Sequence, residues 1–164
     1  MTRTEMLAER LEEAFASSKY HCFLSSVHGV KADESVWIPP HYRGFPHMSG
    51  SILNLAFHAG GDKHVLLSCA FENSIEGWPE VTARFEAMGG DLKAAKDLAK
   101  EGHRKNLEKL ATLTDADLET VVPYIGGRSL TIYDLFRIMA EHDLYHAGQI
   151  NYVRCLWDGL KSDR

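Results

Sequence analysis

No stretch of this 164-residue sequence comes near the roughly 20 consecutive apolar residues needed to cross a bilayer, so a membrane-spanning helix is not expected. Positive charge is also in short supply: 18 Lys and Arg stand against 23 Asp and Glu, a formal net charge of −5. That balance lacks the clustered basic excess of phosphate-backbone binders and argues against a nucleic-acid partner. Cysteine is scarce, with Cys22, Cys69 and Cys155 forming an odd set without a disulfide-framework spacing. Each lies beside apolar neighbours, which predicts reduced, buried thiols. No internal repeat, low-complexity tract or long linker divides the chain, so residues 1–164 are read as one domain. The opening MTRTEMLAERLEEAF is acidic and amphipathic rather than a signal peptide, and a cytoplasmic location is expected.

What the chain does have is helical periodicity. Leu7, Leu11, Phe15 and Cys22 recur at near-helical steps and predict a first helix from about Thr4 to His28, ending at Gly29. Pro39, Pro40 and Pro46 make Val30–Gly50 an irregular connection in which Trp37 and Tyr42 pack. A second helix fits Ser51 to Phe71, with Ile52, Leu55, Ala59 and Leu66 inward and Gly60-Gly61 allowing another backbone close. Trp78-Pro79 starts a short helix that breaks at Gly89-Gly90, and Asp91 caps another long one to about Leu113. The Thr114–Asp117 turn leads into a small β-hairpin, Leu118–Ile125 and Arg128–Leu130 around Gly126-Gly127. Thr131 and Asp134 then cap a last helix reaching about Trp157. Four substantial helices and one hairpin predict an all-α fold.

The most informative segment is His142-Asp-Leu-Tyr-His146 in that last helix. Imidazoles at i and i+4 share one face, about 5–6 Å apart at Cβ, so both can reach one cation. They also continue the inward stripe Leu135, Met139, Ile150 (or Gln149), Val153 and Trp157. Two neutral imidazoles buried without strong partners would cost about 1–3 kcal/mol each, whereas a divalent cation uses both lone pairs. A third ligand must come from another helix, and His58, one turn after Leu55 with small residues following, is the best candidate. His21, His28, His64, His41, His47 and His103 lie at helix ends, in the connection or among charges, and read as solvated or locally hydrogen-bonded. Cys69 and Cys155 read as packing residues.

These residues resemble the DinB-like superfamily of metalloenzymes, which includes bacterial low-molecular-weight-thiol transferases and mycothiol- or bacillithiol-dependent enzymes. The likeness rests on Trp37 and Pro39, on His58, on the Thr114–Asp117 turn with its hairpin, and on Ala140-Glu-His142-Asp-Leu-Tyr-His146-Ala-Gly-Gln149-Ile. It implies a four-helix bundle binding a divalent metal through His58, His142 and His146, with Zn or Ni foremost and Fe or Mn compatible. It further implies a transferase or isomerase that activates a low-molecular-weight thiol, or water, and a homodimer. The family often has arginine immediately before the Gly-Gln pair, where this chain has Ala147.

Three neutral imidazoles leave a bound ion with open positions, and zinc lowers the pKa of bound water to about 7. Asp62, Glu141 and Asp143 are candidate orienting or proton-accepting groups, with Tyr145 and Gln149 close by in sequence. Two rivals stand beside this reading. One takes HDLYH as a zinc-hydrolase HExxH motif, although Asp is one methylene shorter than Glu and no third ligand follows nearby. The other is a non-catalytic bundle that senses or sequesters a small molecule.

Overall fold

Side-chain caps set where the long helices begin. In the computed structural model, which describes residues 1–18, 21–40 and 49–162, Thr2 and Glu5 form a reciprocal capping box at the start of α1 (Arg3–Glu12). A π-type turn over Glu13–Ser17 follows, then two short helices, α2 (Phe23–Ser26) and α3 (Ala32–Val36). The Ser51 hydroxyl accepts the Asn54 N–H at 3.2 Å to open α4 (Ile52–Phe71). Glu80 accepts the Gly77 N–H at 2.9 Å as Trp78-Pro79 begins α5 (Trp78–Ala87). Asp91 accepts the Ala94 N–H at 2.8 Å ahead of α6 (Leu92–Leu110). A 3-10 turn, Asp117–Glu119, precedes the antiparallel strands β1 (Val121–Tyr124) and β2 (Arg128–Thr131), with Val121 opposite Thr131 and Tyr124 opposite Arg128. Gly126 and Gly127 turn the chain at φ of 72° and 70°, the left-handed region that glycine enters without steric cost. Thr131 accepts the Asp134 N–H at 3.1 Å and starts α7 (Ile132–Ser162).

Three expectations change. The first helix does not run from Thr4 to His28: the backbone is extended at Ser18 and resumes as α2. Helical spacing carries across this break because Phe15 on one side and Phe23 on the other enter the same core, their rings 5.7 Å apart. The connection after it is not wholly irregular, since Glu34 reaches back to accept the Lys31 N–H at 3.3 Å and nucleates α3 before the first proline. Tyr42, His41 and His47 lie outside the described residues. Of the thiols only Cys22 is buried; Cys69 is half-buried and Cys155 exposed, two residues past the inward Val153 and so turned to another side of α7.

The four long helices close a ring. α1 packs on α6 and α7, and α4 packs on the same two, which sets α1 across the bundle from α4. α2 leans on α7, α5 on α4 and α6, and β1 on α4. No described helix is long and apolar enough to cross a membrane. Two apolar clusters fill the ring. One holds Leu7, Leu11, Leu66, Leu110, Leu135, Phe136 and Met139; the other holds Phe15, Phe23, Ile52, Ala59, Ala99, Ile150 and Val153. Between them in sequence on α4, α6 and α7 fall Lys63, His103, Asn106, Asp143 and His146, all buried. The bundle thus carries a polar layer between two greasy ones.

Glycines let α4 and α6 meet closely. A Cβ at Gly60 would sit 3.0 Å from the Ala99 backbone nitrogen, and one at Gly102 would sit 2.7 Å from the Lys63 Cβ. Gly102→Ala is therefore expected to push α6 off α4 and cost about 1–3 kcal/mol as overpacking. Gly148→Ala, with nothing within 4 Å of the added methyl, is expected to gain about 0.5–1 kcal/mol from helix propensity. Denaturant midpoints of the two variants would show opposite signs; equal effects would contradict the close packing.

Candidate metal centre

α4 carries no charge between Ile52 and Ala59 and is buried at every position from Ala59 to Ser68, so a polar side chain here needs a partner inside the protein. His58 projects from this helix towards α7, where His142 and His146 lie one turn apart. The Nε2 atoms of His142 and His146 are 3.0 Å apart, and one nitrogen from each of the three rings falls within 4.8 Å of the other two. His58 ring centroids lie 5.1 Å from His142 and 5.0 Å from His146. The structure thus brings together all three histidines singled out in the sequence.

Burial sets their protonation. The His142 ring is pushed down to about 2, first by desolvation and then by the neighbouring histidines and Lys63. His146, 1% exposed, is pushed down to about 4 by desolvation and His58. Both rings are neutral around pH 7, the form that offers a lone pair to a metal. The His146 Nδ1 is buried with no protein hydrogen-bond partner, leaving Nε2 as the nitrogen with an evident task. Imidazole donors suit borderline divalent ions such as Zn, Ni and Fe, so these residues fit a transition metal.

The three carboxylate candidates separate clearly. Glu141 is exposed and held by Arg137 at 2.7 Å. Asp143 is not a surface charge: it is fully buried, and its Oδ2 accepts from the Lys63 ammonium at 2.6 Å. Burial pushes the Asp143 carboxyl up while Lys63 holds it back. Asp62 is also buried, with its Oδ2 3.1 Å from His142 Nε2 and 3.7 Å from His58 Nε2. Desolvation, opposed by Lys63, pushes its carboxyl up to about 7.

Aromatic rings wall the cluster. Trp78, delivered by the start of α5, stacks on His58 at 5° and 5.5 Å, in space left by Gly61, where a Cβ would come within 2.6 Å of the indole. Tyr145 lies edge-on to His146 at 5.1 Å, and its hydroxyl accepts from the Gln149 amide at 3.1 Å. Ala147 is buried.

A family model of the DinB superfamily matches residues 23–150, a span that includes all three histidines. The chain belongs to the DinB superfamily. No curated protein matches it. Within this DinB-superfamily bundle the other described histidines have different roles. His21 and His28 are exposed, as expected. His64 is buried, its Nε2 2.9 Å from the Leu98 carbonyl oxygen. His103, read from its lysine neighbours as solvated, is also buried: it stacks on Phe15 at 4.1 Å and sits 3.4 Å from Glu12, with desolvation pushing it down to about 4.

Lys63 was missed by sequence reasoning. Its signal was available, because Asp62-Lys63 are the only Asp, Glu, Lys or Arg residues in a 20-residue helix otherwise built for burial. Lys63→Met leaves Asp143 buried and unpaired, and a loss of about 3–5 kcal/mol is expected from broken buried pairs. The double variant Lys63→Met/Asp143→Leu is expected to recover most of it. Thermal unfolding of the single and double variants would measure this, and equal destabilisation of both would show that the pair carries no coupling.

Proposed function

We propose that this DinB-superfamily protein holds one divalent transition metal through His58, His142 and His146 and uses it to activate a low-molecular-weight thiol for transfer or isomerisation. The convergence of three neutral imidazoles on one point carries the reading. A divalent ion held there supplies a Lewis acid that favours the deprotonated form of a bound thiol or water near neutral pH. The protein's own side chains do the rest. Trp78 restrains the His58 ring by stacking, and Tyr145 with Gln149 offers a hydroxyl and an amide beside His146. His58 and His142 keep 17% and 22% of their side-chain surface exposed, the part of the cluster a small molecule would meet, while His146 is buried.

The hydrolase reading of HDLYH loses its base. In a zinc protease motif the acidic residue after the first histidine acts on the attacking water, but Asp143 is fully buried and tied to Lys63. Its role here is to hold two helices together.

Two measurements test the proposal. Elemental analysis of protein purified without an affinity tag should find close to one transition metal per chain in the wild type and none in His142→Ala. Metal-dependent conjugation should then appear when the loaded protein meets a panel of low-molecular-weight thiols and electrophiles. Full occupancy in His142→Ala would overturn the ligand assignment. Tight metal binding with no turnover across the panel would overturn catalysis in favour of sensing or sequestration.

A further inference from the structure

Trp78 is delivered to His58 by a loop with no buried apolar residue of its own. Residues 72–77 join α4 to α5; they are exposed from Glu72 to Ile75, and Ile75 keeps 74% of its surface in solvent. Asn73 and Ser74 stand at φ of 53° and 59°, a left-handed conformation that residues other than glycine hold only where neighbouring contacts impose it. Those contacts are polar. Ser68, fully buried near the end of α4, accepts the Ser74 N–H on its carbonyl at 3.0 Å and the Glu76 N–H on its hydroxyl at 2.9 Å. The Glu76 carboxylate pairs with Arg84 of α5, Oε1 to Nη2 at 3.0 Å, and its Oε2 lies 3.6 Å from Nδ1 of the buried His64.

From this geometry we infer that Glu76 is a positioning residue for the metal centre: fastened to Ser68 and Arg84, it fixes the start of α5 so that Trp78, two residues on, lies flat against His58. The inference rests on the three-histidine reading above and names what holds one of its ligands in place. Indole and imidazole are parallel to within 5°, with centroids 5.5 Å apart. A histidine presents its lone pair in the plane of the ring, so any turn of the ring turns the bond it can make to a metal. The flat contact with Trp78 opposes that turn.

The other anchors of α5 act elsewhere. Val81 is fully buried and Phe85 stacks on Phe57 at 4.3 Å, but both lie further along the helix and hold it as a body. Glu80 accepts the Gly77 N–H at 2.9 Å from within α5 itself and moves with it. Glu76 alone ties the residues just ahead of Trp78 both to α4, which carries His58, and to α5. The seat is narrow, since a Cβ at Gly61 would come within 2.6 Å of the indole, so a small displacement of Trp78 spoils the stack. Arg84 has a second carboxylate partner, Glu101 of α6 at 3.5 Å, which makes no contact with the loop and serves as a control.

Trp78 fluorescence reads the contact directly once Trp37 and Trp157 are replaced by Phe, which leaves it the only tryptophan in the chain. Glu76→Ala, Glu76→Gln, Ser68→Ala and Glu101→Gln would be compared in that background, and release of Co²⁺ into excess chelator would be timed for the same variants with all tryptophans present. Circular dichroism would confirm that each is folded. Glu76→Ala is expected to red-shift Trp78 emission, to raise its quenching by acrylamide, and to release Co²⁺ about 3–10-fold faster, less than the 10–100-fold of a group that touches a ligand directly. Ser68→Ala, which frees the same loop from α4, is expected to move both signals in the same direction. Glu76→Gln keeps a side-chain oxygen for Arg84 and is expected to restore most of each, and Glu101→Gln to leave both at their parent values. Parent-like Trp78 emission in Glu76→Ala would overturn the positioning role, as would a shift in emission with unchanged Co²⁺ release or equal effects of Glu76→Ala and Glu101→Gln. Failure of the wild type to take up Co²⁺ would instead overturn the three-histidine reading, while Trp78 emission still decides whether Glu76 fixes the indole.

Discussion

Everything at the centre of this bundle depends on a salt bridge shut away from bulk solvent. Lys63 and Asp143, each next in sequence to a residue of the histidine cluster's own neighbourhood, meet at 2.6 Å between α4 and α7. Moving both charges out of water costs several kcal/mol per ion, and their attraction offsets this only at close range and in good geometry. A slip of α4 along α7 by one residue, about 1.5 Å, would separate the pair and leave two buried charges unsatisfied. That penalty makes the register of the two helices sharply defined, which hydrophobic contacts alone, being non-directional, do not achieve. The same register carries His58 to His142 and His146.

A polar layer of this kind needs strong packing on both sides, and the two apolar clusters supply it. Close approach is needed as well, and Gly60 and Gly102 provide it where α4 meets α6. Arg154 adds an outer brace: from α7 it donates to Glu34 in α3 at 3.1 Å and to the Ser26 carbonyl at 2.9 Å, anchoring the short helices beside the bundle. The short α5 brings one indole onto one imidazole, a modest element with a defined task at the site. Stability and site geometry are thus served by neighbouring residues of one layer, where Lys63 and Asp143 satisfy each other in place of two unpaired charges.

Much of this was legible in the chain. The i,i+4 spacing of His142 and His146 on an apolar stripe marked them as a pair, and small residues after His58 marked where a helix could come close enough to add a third. The caps Asp91 and Thr131 marked helix starts, and Gly126-Gly127 the hairpin turn, because each acts within a few residues of itself. The break after Phe15 was not legible, since both flanking segments bury apolar residues in the same core and the spacing runs on across the gap. Nor was the burial of His103, whose lysine neighbours face solvent while its own ring turns inward onto Phe15. Asp62 and Asp143 stood out only as candidate orienting or proton-accepting groups, and that Asp143 pairs with Lys63 was hidden, because a charge's partner 80 residues away leaves no local trace.

The sequence by itself determined the helical class, the starts of α1 and of α4 to α7, and the three histidines, all of which follow from periodicity and short-range hydrogen bonding. Only the tertiary structure decided which charges are buried, that Asp143 serves Lys63 rather than a reacting water, and that Asp62 faces the imidazoles. Those outcomes depend on the rotation and register of α4 against α7, set by packing and by one desolvated ion pair whose two members meet only when the chain has folded.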